Sequence, residues 1–163
     1  MIAPTRRHLL QGLASLPLAA CAPRPNQTSS KNAPADTFDP PLYPNETPDL
    51  RRLINKWADH YEIPRELVHR QAVRESTHRP HVRSGPYFGL LQILPETARS
   101  MGFRGKPSDL LDPDVNLKYA GKYLRGAWLV SGGDIDEAVM WYARGYYYEA
   151  KRLGLLRETG LRT

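Results

Sequence analysis

The chain has 163 residues, 40% of them apolar and 25% charged, which is ordinary for one modest globular domain. The formal net charge of +6 is compatible with an acidic partner, but no lysine- and arginine-rich run, zinc-ligand spacing or RNA-binding motif accompanies it, so nucleic acid is not an expected partner. The single cysteine, Cys21, excludes an intramolecular disulfide and a metal site built from several cysteines.

The first 47 residues have the composition of a leader followed by a linker. Residues 1–20 combine a positive start, a short apolar stretch and small residues, as an export signal does, and this stretch is too short to span a bilayer. The sequence Leu18-Ala19-Ala20-Cys21 resembles a bacterial lipobox, and Arg6-Arg7 resembles the start of a twin-arginine signal. The lipobox resemblance implies that Cys21 is lipidated and, with Ala22 next, that the anchor is in the outer membrane facing the periplasm. The alternative for Cys21 is an incidental small residue within a signal.

Residues 21–47 are rich in proline, serine and asparagine, and we expect them to be a tether. From residue 48 onward the apolar residues recur at helical spacing, and no stretch alternates with a period of two for long enough to require a strand. Proline and aspartate supply the start signals, Thr47 is a candidate cap, and Gly102 and Gly132-Gly133 are stop signals. Five helix starts are predicted, at Pro48, Pro64, Pro95, Asp112 and Asp134. We therefore expect residues 48–163 to form one compact all-α domain.

Glu75 is an unusual charge in the second predicted helix. It lies on the same stripe as Leu67, Val68, Gln71 and Ala72, so it faces either the core or a partly solvated cleft. Burial would raise the pKa of this carboxyl and suit it to donate a proton near neutral pH. The alternative is a helix-end glutamate that only forms a salt bridge with a neighbouring arginine.

The residues after Glu75 favour the cleft. Gly85-Pro86 and Gly89 allow tight turns, Tyr87 and Phe88 offer stacking faces, and Gln92 offers an amide.

Three ordered blocks resemble the soluble lytic transglycosylase domain, over roughly residues 50 to 153. The first contains Glu75-Ser76, Pro80, Ser84, Gly89-Leu90-Leu91-Gln92, Pro95 and Thr97-Ala98, the second runs from Leu111 to Leu124, and the third is Ala138 to Gly145. This resemblance implies a lysozyme-like fold of about five to seven helices. It also implies that the chain acts on peptidoglycan, with Glu75 as the catalytic acid and Ser76, Gly89, Leu91, Gln92 and Tyr142 binding the saccharide.

The implied reaction cleaves the β-1,4 bond between N-acetylmuramic acid and N-acetylglucosamine. Glycosidases usually need two carboxylates, whereas here one glutamate would act first as acid and then as base while the sugar's 6-hydroxyl closes a 1,6-anhydro ring. Tyr142 would hydrogen-bond near Glu75 and orient it. The hydroxyl of Ser76 has the alternative role of capping the helix backbone.

The sequence also departs from the family pattern. His78 and Arg79 replace the usual aromatic residue and asparagine, the loop before Gly89 is one residue shorter, and Ala143 replaces the asparagine of the last block.

Two other functions stay open, a lysozyme-type hydrolase and a non-catalytic wall-binding lipoprotein. His78 and His81 have a spacing that fits a metal, but no third ligand is evident, so we expect no metal, no cofactor and a monomer.

Overall fold

The computed structural model of the chain describes residues 38–162. The predicted export signal (residues 1–20), Cys21 and the first part of the predicted linker lie outside the described residues. Within residues 38–162, no helix is both long and apolar enough to cross a membrane.

The described part is mostly helical, as predicted. Its α-helices are α1 (Pro48–His60), α2 (Arg65–Ser76), α3 (Pro95–Ser100), α4 (Pro113–Val130), α5 (Ile135–Arg144) and α6 (Tyr147–Leu153). A short antiparallel hairpin joins β1 (Arg83–Ser84) to β2 (Tyr87–Phe88), and a 3₁₀ turn covers Pro107–Leu111. The hairpin, the 3₁₀ turn and α6 were not predicted as separate elements.

Three of the five predicted helix starts have a side-chain cap. The Thr47 hydroxyl accepts a hydrogen bond from the Leu50 amide at 3.1 Å, with Pro48 at the first helical position. Asp112 and Asp134 cap α4 and α5 in the same way, through the amides of Val115 and Glu137. These contacts satisfy amides that have no partner within the helix, and they join residues three positions apart in the chain.

Helix α4 lies at the centre of the domain and packs against α1, α3, α5, α6 and the 3₁₀ turn. Its side chains Leu117, Ala120, Leu124 and Ala127 are fully buried and follow the helical repeat. Helix α2 packs against both α1 and α5.

Residues 38–47, which the sequence predicted as linker, pack onto the domain instead. The Arg51 guanidinium on α1 donates to the carbonyl oxygens of Pro40 and Pro41 and to the Glu46 carboxylate. The Tyr43 ring stacks on the His78 ring at 4.9 Å. A buried arginine needs several acceptors, and this segment supplies them, so the folded domain includes residues 38–47.

Candidate active site

Glu75 lies in the last turn of α2, at the boundary between core and solvent. The apolar residues of its stripe, Leu67, Val68 and Ala72, are buried, whereas the Glu75 side chain keeps 22% exposure. The fully buried Gln71, one turn earlier, donates from Nε2 to Glu75 Oε1 at 2.9 Å. Thr77, which follows α2, has a left-handed backbone (φ 53°) and ends the helix.

Burial raises the pKa of Glu75 above its usual range. The nearby Arg74 guanidinium opposes this effect, with Nε 3.5 Å from Glu75 Oε1. The Arg74 side chain is itself more than half exposed, so water screens its charge and burial dominates. The carboxyl is therefore suited to hold a proton at a higher pH than a solvated glutamate does.

A cleft of about 470 Å³ opens over Glu75. Its walls come from the end of α2, the hairpin, the loop into α3, α4 and the end of α5. The lining residues are Arg74, Glu75, Tyr87, Gln92, Ile93, Leu94, Thr97, Tyr123, Tyr142, Ala143, Arg144 and Gly145. Glu75 is the single carboxylate among these residues, as far as the described part of the chain extends.

Three aspartates in the 3₁₀ turn and at the start of α4 could have supplied a second carboxylate, but they have other contacts. Asp112 caps α4, and Asp109 accepts a hydrogen bond from the Lys106 amide at 2.9 Å. Asp114 accepts from the Trp57 indole and the Lys56 ammonium. Each contact holds its carboxylate outside the set of cleft-lining residues.

Asn116 of α4 fixes the loop that forms the cleft floor. Its side-chain amide donates to the carbonyls of Phe88 and Leu110, both at 2.9 Å, and its Oδ1 accepts from the Leu91 amide at 2.9 Å. Gly89 has φ +77°, and a Cβ there would overlap the Leu110 carbonyl oxygen and the Asn116 side chain. The loop conformation therefore requires both the amide of Asn116 and the absence of a side chain at position 89.

Tyr142 of α5 supports the same loop. Its hydroxyl donates to the Leu91 carbonyl at 2.8 Å, so the predicted orienting hydrogen bond goes to the loop backbone and not to Glu75. Burial, followed by the nearby Glu75 charge, raises the pKa of Tyr142 well above its usual range. The phenol therefore stays protonated and keeps donating at any physiological pH.

The predicted substrate-binding residues divide into two groups. Gln92 and Tyr142 line the cleft, whereas Ser76, Gly89 and Leu91 are not among the lining residues. The Ser76 hydroxyl donates to the Ala72 carbonyl at 3.2 Å and accepts from the Arg79 amide, which is its alternative role at the helix end. Gly89 and Leu91 instead shape the loop from beneath, because both contact Asn116.

Gln92 lines the cleft but points its amide donor inward. Nε2 donates to the carbonyls of Gly89 and Val82 at 2.7 and 3.0 Å, and its backbone has φ +45°. Oε1 is buried and has no hydrogen-bond partner within residues 38–162. The side chain thus holds its own loop in a left-handed conformation that residues with a Cβ adopt rarely.

Two further features around Glu75 were missed at the level of sequence. The first is the hydrogen bond from Gln71, which the four-residue separation on one helix face would have predicted. The second is the place of Thr97 in the cleft wall, for which no local signal exists.

The fold and the cleft together define an all-α domain with a cleft of about 470 Å³ in which, among the described residues, Glu75 is the one lining carboxylate. Residues 52–155 match the family model described as the transglycosylase SLT domain, which covers more than half of the chain. The chain belongs to this family, whose members act on peptidoglycan. No solved structure matches the chain.

Proposed function

We propose that this chain is a lytic transglycosylase that cleaves the bond between N-acetylmuramic acid and N-acetylglucosamine in peptidoglycan and leaves a 1,6-anhydro end. The observation that carries the proposal is that Glu75, with a raised pKa, is the single carboxylate among the described lining residues. A hydrolase of the usual kind needs a second carboxylate as nucleophile or base. A reaction in which the substrate supplies the nucleophile needs only a single carboxylate, which acts first as acid and then as base.

In the first step, Glu75 protonates the oxygen that leaves with N-acetylglucosamine. The glycosidic bond breaks, its electron pair stays on that oxygen, and positive charge develops at C1 of the muramyl sugar. The muramyl N-acetyl group stabilises that charge. In the second step the ionised Glu75 removes the proton from the 6-hydroxyl, whose oxygen bonds to C1. Glu75 regains its proton, so no water is consumed.

The contacts of Glu75 favour one oxygen for both transfers. The Gln71 amide and the Arg74 guanidinium both approach Oε1, at 2.9 and 3.5 Å. An oxygen that accepts a hydrogen bond from Gln71 and faces the Arg74 charge is poorly placed to carry a hydrogen, so the proton belongs on Oε2. Gln71 thereby keeps the carboxyl in one orientation in both protonation states.

The products of digestion test the proposal. Purified peptidoglycan is treated with the Cys21→Ser chain, and the released muropeptides are analysed by mass spectrometry. We expect anhydro products, which are lighter than hydrolysis products by one water. Reducing ends alone would identify a lysozyme-type hydrolase, and absence of any release would identify a wall-binding protein, a function that Ala143 in place of the family's asparagine favours.

A matched pair of variants tests the role of Glu75. Glu75→Gln is expected to lose activity by at least about a hundredfold, since general acid–base catalysis contributes about 10²- to 10⁴-fold. Glu66→Gln makes the same chemical change on the same helix, outside the cleft-lining set, and should keep wild-type activity. Equal activity of both variants contradicts the assignment.

The proposed location is the periplasm, with the chain anchored to the outer membrane through lipid on Cys21. Residues 22–37 then connect the lipidated Cys21 to the folded domain. Replacement of Cys21 by serine removes the lipid acceptor and should move the protein from the membrane to the soluble fraction. Retention of the variant in membranes after a high-salt wash would contradict lipidation.

A further inference from the structure

Three buried side chains that do not line the cleft meet at α2. They are Glu46 from the turn before α1, His69 from the middle of α2, and His78 from just beyond the end of α2. The side chains of all three have no solvent exposure.

The distances between the three ligand atoms match those around one metal ion. His69 Nδ1 lies 3.1 Å from His78 Nε2, and Glu46 Oε1 lies 3.4 Å from His69 Nδ1 and 4.0 Å from His78 Nε2. Ligands of tetrahedral zinc lie about 2.0–2.2 Å from the ion, which places them about 3.3–3.5 Å from one another. Two of the three separations already fall close to this range, and the third exceeds it by about half an ångström.

A second set of contacts orients two of these ligands. His69 Nε2 lies 3.2 Å from Asn55 Oδ1, an acceptor, so Nε2 carries the hydrogen and the lone pair of Nδ1 faces the cluster. The Glu46 carboxylate accepts from Arg51 Nε and Nη2, both at 2.6 Å, and from the Tyr43 amide at 2.9 Å. Hydrogen bonds of this kind fix the ligands of known metal sites.

The His78 ring has one nitrogen without a partner. The 3.1 Å approach of His78 Nε2 to His69 Nδ1 needs one hydrogen between them, and the orientation of His69 places it on His78 Nε2. His78 Nδ1 is buried and has no hydrogen-bond partner among the described residues. When an ion binds between the rings, the hydrogen on His78 Nε2 moves to His78 Nδ1. The lone pairs of His69 Nδ1 and His78 Nε2 then both face the ion, and His78 carries the same number of protons as before.

Burial lowers the pKa of His78, and it lowers the pKa of His69 to about 4. The Arg51 charge opposes a cation here, but the Glu46 carboxylate contacts Arg51 and the histidines alike and offsets part of that repulsion.

We propose that Glu46, His69 and His78 bind one divalent transition-metal ion, which fastens residues 38–46 to α2. Two imidazoles and one carboxylate favour ions of the Zn²⁺ class over Mg²⁺ or Ca²⁺, which prefer oxygen ligands throughout. The expectation of no metal rested on the pair His78 and His81, and His81 instead contacts the Leu111 carbonyl at the surface. The inference does not depend on the proposed function.

The test uses the tag-free full chain, stripped with chelator and dialysed. Titration with Zn²⁺ is followed by calorimetry, and titration with Co²⁺ is followed by its visible absorption, which reports nitrogen and oxygen ligands. We expect one ion per chain and a higher melting temperature with Zn²⁺. A wild-type chain that stays folded and binds no Zn²⁺ overturns the proposal and leaves a hydrogen-bonded histidine pair.

Variants locate the ion. His78→Phe restores the aromatic residue of the family pattern and should weaken Zn²⁺ binding by more than about a hundredfold, because loss of an outer contact alone costs about 10- to 100-fold. Asn55→Ala removes such an outer contact and should weaken binding by about 10- to 100-fold. This variant keeps the proposal testable if His78→Phe folds poorly. His81→Gln is the control and should bind as the wild type does. Loss of binding in His81→Gln, or its retention in both other variants, contradicts the site.

Discussion

Replacement of Arg74 by glutamine should shift the pH dependence of catalysis. Arg74 Nε lies 3.5 Å from Glu75 Oε1, and its positive charge favours the ionised carboxylate. Two unit charges at this separation in water interact by about 1.2 kcal/mol, and the exposure of Arg74 reduces this to about 0.5–1 kcal/mol. Removal of the charge raises the pKa of Glu75 further above its usual range. Since the acid step needs protonated Glu75, activity is lost as pH rises through that pKa, and the alkaline limb should move upward by about half a pH unit.

The assay is kcat/KM against pH for release of muropeptides, since this ratio reports the free enzyme. Arg74→Lys keeps the charge and should leave the limb close to its wild-type position. Arg70→Gln removes a charge from the same helix, but Arg70 pairs with Asp136 outside the cleft-lining set, so its profile should match the wild type. A limb that stays in place in Arg74→Gln, or moves to lower pH, refutes the electrostatic reasoning.

Three further predictions concern stability. Glu75→Gln should melt at the same temperature as the wild type or higher, because the raised pKa means that ionised Glu75 destabilises the folded state. The advantage should grow as the pH rises from about 4, the pKa of an unfolded glutamate, through the raised pKa of the folded state. A loss above about 2 kcal/mol in urea unfolding would indicate a structural salt bridge instead. Gly89→Ala should yield little folded protein, as measured by circular dichroism, because the new methyl group overlaps the Leu110 carbonyl. Gly85→Ala is the control: Gly85 has φ +56°, but no atom lies within 4 Å of the new methyl group, so this variant should fold with a cost of about 1–2 kcal/mol. Asn116→Ala should lower the free energy of unfolding by about 2 kcal/mol or more, since it removes the partner of the Leu91 amide and of the Leu110 carbonyl at about 1–3 kcal/mol each, while the Phe88 carbonyl keeps its hydrogen bond from the Ile93 amide. A cost below about 1 kcal/mol would show that water or a shifted loop replaces the amide.

The helices could be predicted because their signals are local. The Thr47, Asp112 and Asp134 side chains cap amides three residues away, and the buried face of α4 follows the 3.6-residue repeat. The unpredicted hairpin has two-residue strands, too short to show any alternation. The 3₁₀ turn is likewise shorter than the window that periodicity needs.

The tyrosine run Tyr146-Tyr147-Tyr148 follows α5. Its helical spacing predicted that one of the three rings would lie in the core, and the spacing from Tyr142 favoured Tyr146. In the structure Tyr146 is buried, and its hydroxyl donates to the Tyr123 carbonyl of α4, while Tyr147 and Tyr148 are exposed. The structure therefore agrees with the spacing, and the contact with α4 is what buries the Tyr146 ring.

The candidate site was only partly predictable, for a related reason. Glu75 could be identified because a carboxylate on an apolar stripe is locally anomalous. Ser76, Gly89 and Leu91 belong to the same ordered motif, yet they support the loop and the helix end and do not line the cleft. A motif records which residues occur together, and it does not separate those that face a ligand from those that hold the wall in place.

By itself, the sequence determined the helical class from the 3.6-residue period, several helix starts from their local caps, and the family from ordered motifs. It also singled out Glu75 as a carboxylate on an apolar stripe. Only the tertiary structure decided that Glu75 faces the cleft without a second lining carboxylate among the described residues. It also brought Glu46, His69 and His78 together across three separate segments. Contacts of this kind form when helices pack, and packing joins residues whose separation along the chain carries no periodic signal.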